Sequence, residues 1–288
     1  MRCLLAKKNF QSIFNAVGLV TARTLYLIYS YYSFWNQNTF FSVQTFQKFY
    51  LWLMASIFRF KQFEVDQSNC AMKINTDGVL LASLVDTDNA KRVLDVGTGT
   101  GVIALMLAQR LVNSWIEAVE VDALAAEMAS SNFSNSIFGS RLVLHAKSFQ
   151  QLQIDKPYDL IVSNPPFYTD SLHNPDARKK LARHTDLDFF QELLQFASSH
   201  LTPVGRLVLI LPTQLAETLT ALAIDHGLHC TAEIQIRSFD GEPIIRKIVT
   251  LGRIPSTVLK QREFVIYQSK GVYSESYKNA LAPYFLAF

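Results

Sequence analysis

From residue 91 onward the chain alternates two hydrophobic patterns. Short apolar runs at 91–96, 115–120, 141–145, 158–163 and 206–211 are bounded by glycine, proline or charged residues, and read as buried parallel strands. Between them, apolar residues at helical spacing predict helices over 102–110, 123–135, 187–201 and 214–226. Asp186 stands where it can cap the third helix, and Leu124, Met128 and Phe133 are the core candidates of the second. The pattern closes with strands at 231–239 and 244–253, joined through Asp240 and Gly241, a hairpin signal. This alternation predicts an α/β fold: a doubly wound, mostly parallel sheet with a closing antiparallel strand pair, and ligands at the carboxyl ends of the strands. No internal repeat or low-complexity tract interrupts residues 54–288, so they are expected to form one catalytic domain.

Ahead of the sheet, residues 58–76 are shorter in pattern and more polar. An apolar helix over 79–85 follows, with Thr76 or Asp77 placed to cap it. The same two residues suit a cap or the wall of a site, and their types alone do not choose.

Charge changes the picture at the other end. Residues 1–53 hold Arg2, Lys7, Lys8, Arg23 and Lys48 with no acidic residue, a net charge of +5, together with 14 of the chain's 35 aromatics. The rest carries −2, so the overall +3 comes from this segment alone. A membrane-spanning helix needs ~20 mainly apolar residues, yet 10–35 is broken by Asn15, Thr21, Arg23, Thr24, Ser30 and Ser33. A cleaved signal peptide needs a compact apolar run and a small-x-small site, and residues 29–35 offer neither. The segment reads as a dispensable extension, or as translated sequence upstream of Met54. A weakly membrane-associated segment is the competing reading. A cytoplasmic protein without stable membrane association is expected.

Three cysteines (Cys3, Cys70 and Cys230) include no C-x-x-C pair, and His226 and His229 belong to no H-E-x-x-H. Neither a disulfide framework nor a metal centre is expected.

Candidate chemistry begins at residues 95–101, D-V-G-T-G-T-G, between the first strand and the first helix of the alternating region. Gly97, Gly99 and Gly101 allow a tight turn and a close backbone approach to a ligand. The G-x-G-x-G spacing lacks the third small residue of a dinucleotide fingerprint, since position 102 is Val102. No Walker lysine follows, which excludes a P-loop. Asp95 lies in the strand end, where a lone carboxylate is costly unless hydrogen-bonded. Glu120 ends the second strand, where a carboxylate can accept both hydroxyls of a ribose. These features favour a nucleoside ligand without a pyrophosphate. S-adenosylmethionine (SAM) fits, with its ribose toward Glu120 and its cationic end near Asp95.

Asn164, Pro165, Pro166 and Phe167 follow the strand at 158–163. Two prolines stiffen the backbone and remove two N–H donors. The side-chain oxygen of Asn164 and the carbonyl of Pro165 can then accept both hydrogens of a planar –NH₂, favouring a pyramidal nitrogen that attacks a methyl group. Phe167 offers a face on which a base stacks. Taken alone, the tetrapeptide is also an ordinary turn.

Together these residues resemble the class I SAM-dependent amino-methyltransferases. Within that superfamily, residues 60–63 (FKQF), 70–81 (CAMKINTDGVLL), 182–185 (ARHT) and the ending from Tyr273 to Phe288 resemble the bacterial enzymes that methylate N6 of adenine 37 in tRNA1(Val). The resemblance implies a Rossmann-like fold, SAM contacts at Gly97, Gly99 and Gly101, ribose binding at Glu120, and amino-group binding at Asn164. It also implies that Thr76 and Asp77 lie near the methionine end of the cofactor, and residues 147–149 beside its adenine. The chain departs from the pattern in having no acidic residue at 147–149, and Phe167 where tyrosine is frequent. A monomer acting on tRNA is expected.

Residues 167–186 read as a polar loop containing Arg178, Lys179, Lys180, Arg183 and His184. This basic cluster suits a phosphate backbone next to the tetrapeptide, and suits equally a solvated loop face. Lys61, Lys73, Arg246 and Lys247 are further candidates for RNA contacts. Methylation of a protein glutamine amide, of another nucleic-acid amine, or nucleotide binding without chemistry are the alternative functions.

Overall fold

The computed structural model describes residues 56–68, 70, 72–165 and 177–288, with residues 177–186 described by backbone alone. Residues 1–53, and with them the expected extension, lie outside the described residues. A small hairpin, β1 (Ile57–Arg59) and β2 (Glu64–Asp66), comes first, then helix α1 (Thr76–Leu84). The alternating region supplies β3 (Arg92–Val96), α2 (Val102–Arg110), β4 (Trp115–Val119), α3 (Ala123–Asn135), β5 (Leu142–His145) and β6 (Tyr158–Ser163). Then come α4 (Ala177–His200), β7 (Leu201–Pro212), α5 (Thr213–Asp225), β8 (His229–Arg237), β9 (Ile244–Gly252) and β10 (Lys260–Val265). A second hairpin, β11 (Tyr267–Ser269) and β12 (Val272–Tyr273), leads into α6 (Glu275–Leu281).

Eight strands form one sheet in the order β10-β8-β9-β7-β6-β3-β4-β5. Neighbours pair in parallel except where β9 runs against β7 and β8. The doubly wound sheet with its antiparallel pair is therefore as expected. Successive strand residues pack on opposite faces, as the two-residue period of a strand requires. Val93, Leu160 and Val208 join α1 and α2 in one core, whereas Leu94, Ile161 and Leu209 join Phe190, Leu193 and Leu194 of α4 in the other. Burial on both faces is why these strands read as unbroken apolar runs.

Three differences from the sequence reading have physical causes. Helix α4 begins at Ala177, within the expected loop, so Asp186 is an interior residue and not a cap. Alanine, arginine, lysine and leucine are strong helix formers, and they extend the turns that Phe190 to Ala197 anchor in the core. Strand β10 was not anticipated: as the sheet's last strand it is largely exposed, and its Lys260, Gln261, Arg262 and Glu263 give no apolar signal. Leu124 is 58% exposed, while Met128 and Phe133 of the same helix are buried.

Candidate active site

The chain order reverses between β3 and β6, which lie side by side in the sheet although β4 and β5 intervene in sequence. Open α/β sheets form their ligand crevice at such a point, beyond the carboxyl ends of the strands. Val96 pairs with Ser163 across these ends, and the Ser163 hydroxyl donates to the Val96 carbonyl at 2.8 Å. Gly97 and Asn164, the next residue on each strand, therefore leave the sheet as neighbours.

The glycine loop has the backbone its residues allow. Gly97, Gly99 and Gly101 have φ of +71°, +56° and +84°, a region that L side chains seldom adopt. Their surroundings differ. A Cβ at Gly97 or Gly99 would meet nothing within 4 Å, whereas one at Gly101 would lie 2.5 Å from Phe133 Cε1. The first two present open backbone, and the third packs α2 against α3. Asn132, buried in α3, donates to the carbonyls of Thr100 and Asp66 at 2.9 Å each and accepts from Asp66 N, strapping β2 to the loop.

Asp95 is fully buried. Its Oδ2 accepts from the Thr98 hydroxyl at 2.6 Å, and its Oδ1 has no hydrogen-bond partner. Burial pushes its carboxyl up from 3.8 to about 7, opposed by the Thr98 hydroxyl and the Ala104 backbone amide and aided to a smaller extent by the charge of Glu120. Glu120 is held by three backbone amides: Gly99 N on Oε2, and Val121 N and Asp122 N on Oε1, all at 2.9 Å. One lone pair of Oε2 stays open.

On the opposite side, Asn75 caps α1, its Oδ1 accepting from Gly78 N at 2.9 Å. The same oxygen accepts from Asn164 Nδ2 at 3.4 Å. The cap is thus Asn75 and not Thr76 or Asp77, and it reaches Asn164 of the tetrapeptide. Sequence reading passed over it because Asn75, Thr76 and Asp77 are all good capping types. Asp77 instead pairs with Arg246 of β9 (Nε to Oδ2, 2.8 Å), and Thr76 is exposed at the helix start.

The structure thus gathers Asp95, Gly97, Gly99, Glu120, Asn164 and Pro165 at the carboxyl ends of the strands, with Asn75 and Gly78, which flank Thr76 and Asp77, beside Asn164. Pro166 and Phe167 lie outside the described residues. Arg178, Lys179, Lys180, Arg183 and His184 lie on the backbone of α4 and not on a loop. Two suggested RNA contacts are structural. Lys247 is buried between Glu233 (3.2 Å) and Glu217 (3.4 Å), and Lys61 donates to the carbonyls of Ala282 and Phe288. Lys73 is exposed.

The methyltransferase small domain family matches residues 69–225. A Pedobacter heparinus protein named tRNA1(Val) (adenine(37)-N6)-methyltransferase is 45% identical over 235 residues, covering 82% of this chain and all of the relative. This chain belongs to that family of methyltransferases. An Aeromonas hydrophila protein of the same name is 39% identical over 230 residues, covering 80% of this chain and 97% of the relative. In fold, the chain is similar to a predicted O-methyltransferase from Agrobacterium tumefaciens, with a TM-score of 0.55 and 21% identity over 72% of this chain and 96% of that one. That likeness speaks for the class I methyltransferase sheet. Family membership accords with the glycine loop and Asn164 meeting at the reversal of strand order.

Proposed function

We infer that the protein transfers a methyl group from SAM to N6 of adenine 37 in tRNA1(Val). One observation carries the chemistry: Asn164 leaves β6 beside the glycine loop with its –NH₂ turned to Asn75. The carbonyl oxygen of Asn164 is therefore the atom left for an incoming amine. The substrate follows from the relatives' names.

The residues present suit SAM. The open backbone at Gly97 and Gly99 admits its methionine portion, and Glu120 Oε2 has one lone pair for a ribose hydroxyl. Accepting the second hydroxyl requires Glu120 to release one of its amides. The buried Asp95 carboxyl, whose charge burial disfavours, ionises when a cationic ligand binds and then supplies negative charge beside it. Bound there, SAM supplies a methyl group on a positively charged sulfur whose leaving group is a neutral thioether.

In this reading the chain contributes mainly position and electrostatics. Asn164 Oδ1 and the Pro165 carbonyl accept the two amino hydrogens, turning the nitrogen lone pair out of conjugation and toward the methyl carbon. No strong base is required, because the methylated nitrogen loses its extra proton to water after transfer. Phe167 stacks against the extruded adenine, with Pro166 fixing the turn that carries it. Arg178, Lys179, Lys180, Arg183 and His184 meet the RNA backbone. The protein works as a monomer in the cytoplasm. No helix among the described residues is long and apolar enough to cross a membrane.

The test is incubation with isotopically labelled SAM and tRNA from cells lacking the modification, followed by nucleoside digestion. N6-methyladenosine at position 37 of tRNA1(Val) is the expected product. Label appearing in protein and in no tRNA would sink the reading and favour a glutamine amide.

A further inference from the structure

The ending of the chain builds something the methyl-transfer site does not use. Beyond β10 and β8 the pairing continues, with Ile266 N donating to Arg237 O at 3.0 Å and Tyr267 N to Ser238 O at 2.9 Å. This brings Phe239 beside Tyr267, their ring centroids 5.5 Å apart. The β11–β12 hairpin then turns through Lys270 and Gly271, whose φ of +78° suits glycine, and sets Tyr273 opposite Tyr267. Those two rings stack at 5.2 Å and 19°, and Tyr277 of α6 continues the stack at 4.4 Å and 8°. Buried Tyr277 anchors the ladder, while Phe239, Tyr267 and Tyr273 are partly open to solvent.

An open surface cavity of about 370 Å³ lies against this ladder, lined by Phe239, Tyr267, Lys270, Gly271 and Tyr273. Its place in the sheet matters. Strands β8 and β10 point the same way as β6 and β7, so the cavity opens at the carboxyl edge that carries Asn164. Four strand spacings separate β6 from β10, about 19 Å across the sheet. Rigid aromatic faces with a flanking cation are what a stacked base and its phosphate require. Asp240, the acidic residue next to Phe239, accepts from Gly241 N at 3.1 Å through its Oδ1.

We propose that this cavity is a second RNA subsite, holding an unpaired base of the tRNA on the outer face of Phe239, beside the edges of Tyr267 and Tyr273, with its phosphate toward Lys270. The proposal rests on the tRNA reading above and adds a contact remote from the methylated adenine. It acts on RNA affinity and not on the methyl-transfer step.

The experiment is steady-state methyl transfer by the full chain to unmodified tRNA at saturating SAM. Phe239→Ala is expected to raise KM for tRNA about fivefold or more, with kcat within twofold and SAM affinity unchanged. Phe239→Trp, which keeps an aromatic face, should return KM to within twofold of wild type. Lys270→Glu should raise KM several-fold, less so as salt is added. Lys270 is exposed, so that variant decides the matter if Phe239→Ala lowers the thermal midpoint. Unchanged KM in both variants, with tRNA still methylated, would overturn the subsite alone. A wild-type protein that methylates no tRNA would overturn the subsite and the function together.

Discussion

Asn164 Nδ2 and Gly78 N both donate to one atom, Asn75 Oδ1, at 3.4 and 2.9 Å. A helix cap and the orientation of the Asn164 amide are therefore one structural feature. Asn75→Ser should keep the cap, since serine is a good capping residue, but its shorter side chain cannot reach Asn164. The expected outcome is an unchanged thermal midpoint and SAM affinity with kcat about tenfold lower, ~1.4 kcal/mol in the barrier. Asn75→Asp preserves the acceptor and should hold kcat within about threefold, taking ~0.7 kcal/mol as the allowance. Asn164→Ala should lose about 100-fold or more in kcat with SAM still bound. Single-turnover rates alongside SAM titration separate these cases.

Asp95 makes stability depend on pH. Its folded-state pKa of about 7 lies above the ordinary 3.8, so the folded protein holds a proton that the unfolded chain has lost. Stability of the ligand-free protein should therefore fall as pH rises from about 4 to about 7, and level off above that. The ceiling on this loss is ~4 kcal/mol. Asp95→Asn should remove the slope and raise the thermal midpoint at pH 8, with little difference at pH 4. It should also weaken SAM binding at pH 8, because a cation gains from the ionised carboxylate. Denaturation scans and calorimetric SAM titrations at both pH values check the two halves.

The three loop glycines should separate by mechanism. Gly101→Ala places a methyl 2.5 Å from Phe133 at a positive φ, so it should cost about 2–4 kcal/mol of stability. Gly99→Ala meets open space and pays only for its φ, about 1–2 kcal/mol. Its larger effect should be on SAM, whose approach the added methyl obstructs. Urea melts combined with SAM affinities distinguish the pair.

Lys247 should matter for folding and not for RNA. Removing its ammonium leaves the buried Glu233 carboxylate with only the Gln235 and Gln261 amides, so Lys247→Ala should cost up to about 3 kcal/mol. KM for tRNA, measured well below the melting temperature, should stay within twofold. A selective rise in KM with unaltered stability would contradict this placement.

Deleting residues 1–53 should leave the thermal midpoint and kcat/KM for tRNA within about twofold, ~0.4 kcal/mol. The basis is that 235 residues of this chain match the whole of the Pedobacter heparinus relative. Membrane flotation of the full chain tests the competing role for this segment.

The parts legible in the sequence are those where one residue type answers one physical demand. Leu94, Ile161 and Leu209 announced strands because both sheet faces are covered. The loop glycines announced a turn because their φ is positive. Strand β10 was hidden because an exposed edge tolerates charge, and the first turns of α4 because their polar residues resemble a loop, whereas its later part was legible. Asn75 was indistinguishable from its neighbours until tertiary contact brought Asn164 against it. Lys247 looked like a phosphate contact, and only the pairing of β9 with β8 reveals the buried Glu233 beside it.

The pair between Asp77 and Arg246 joins residues 169 positions apart in sequence. On the ribosome, the helix that orients Asn164 is made early, yet the residue clasping its first turn emerges only after that interval. At about 5–20 residues per second the delay is roughly ten to thirty seconds. Nascent chains that stop before β9 carry every glycine of the loop and Asn164 itself, but lack the clasp. The first turn of α1 is therefore fixed only once β9 has paired with β7, so the surroundings of Asn164 are completed among the last steps of folding.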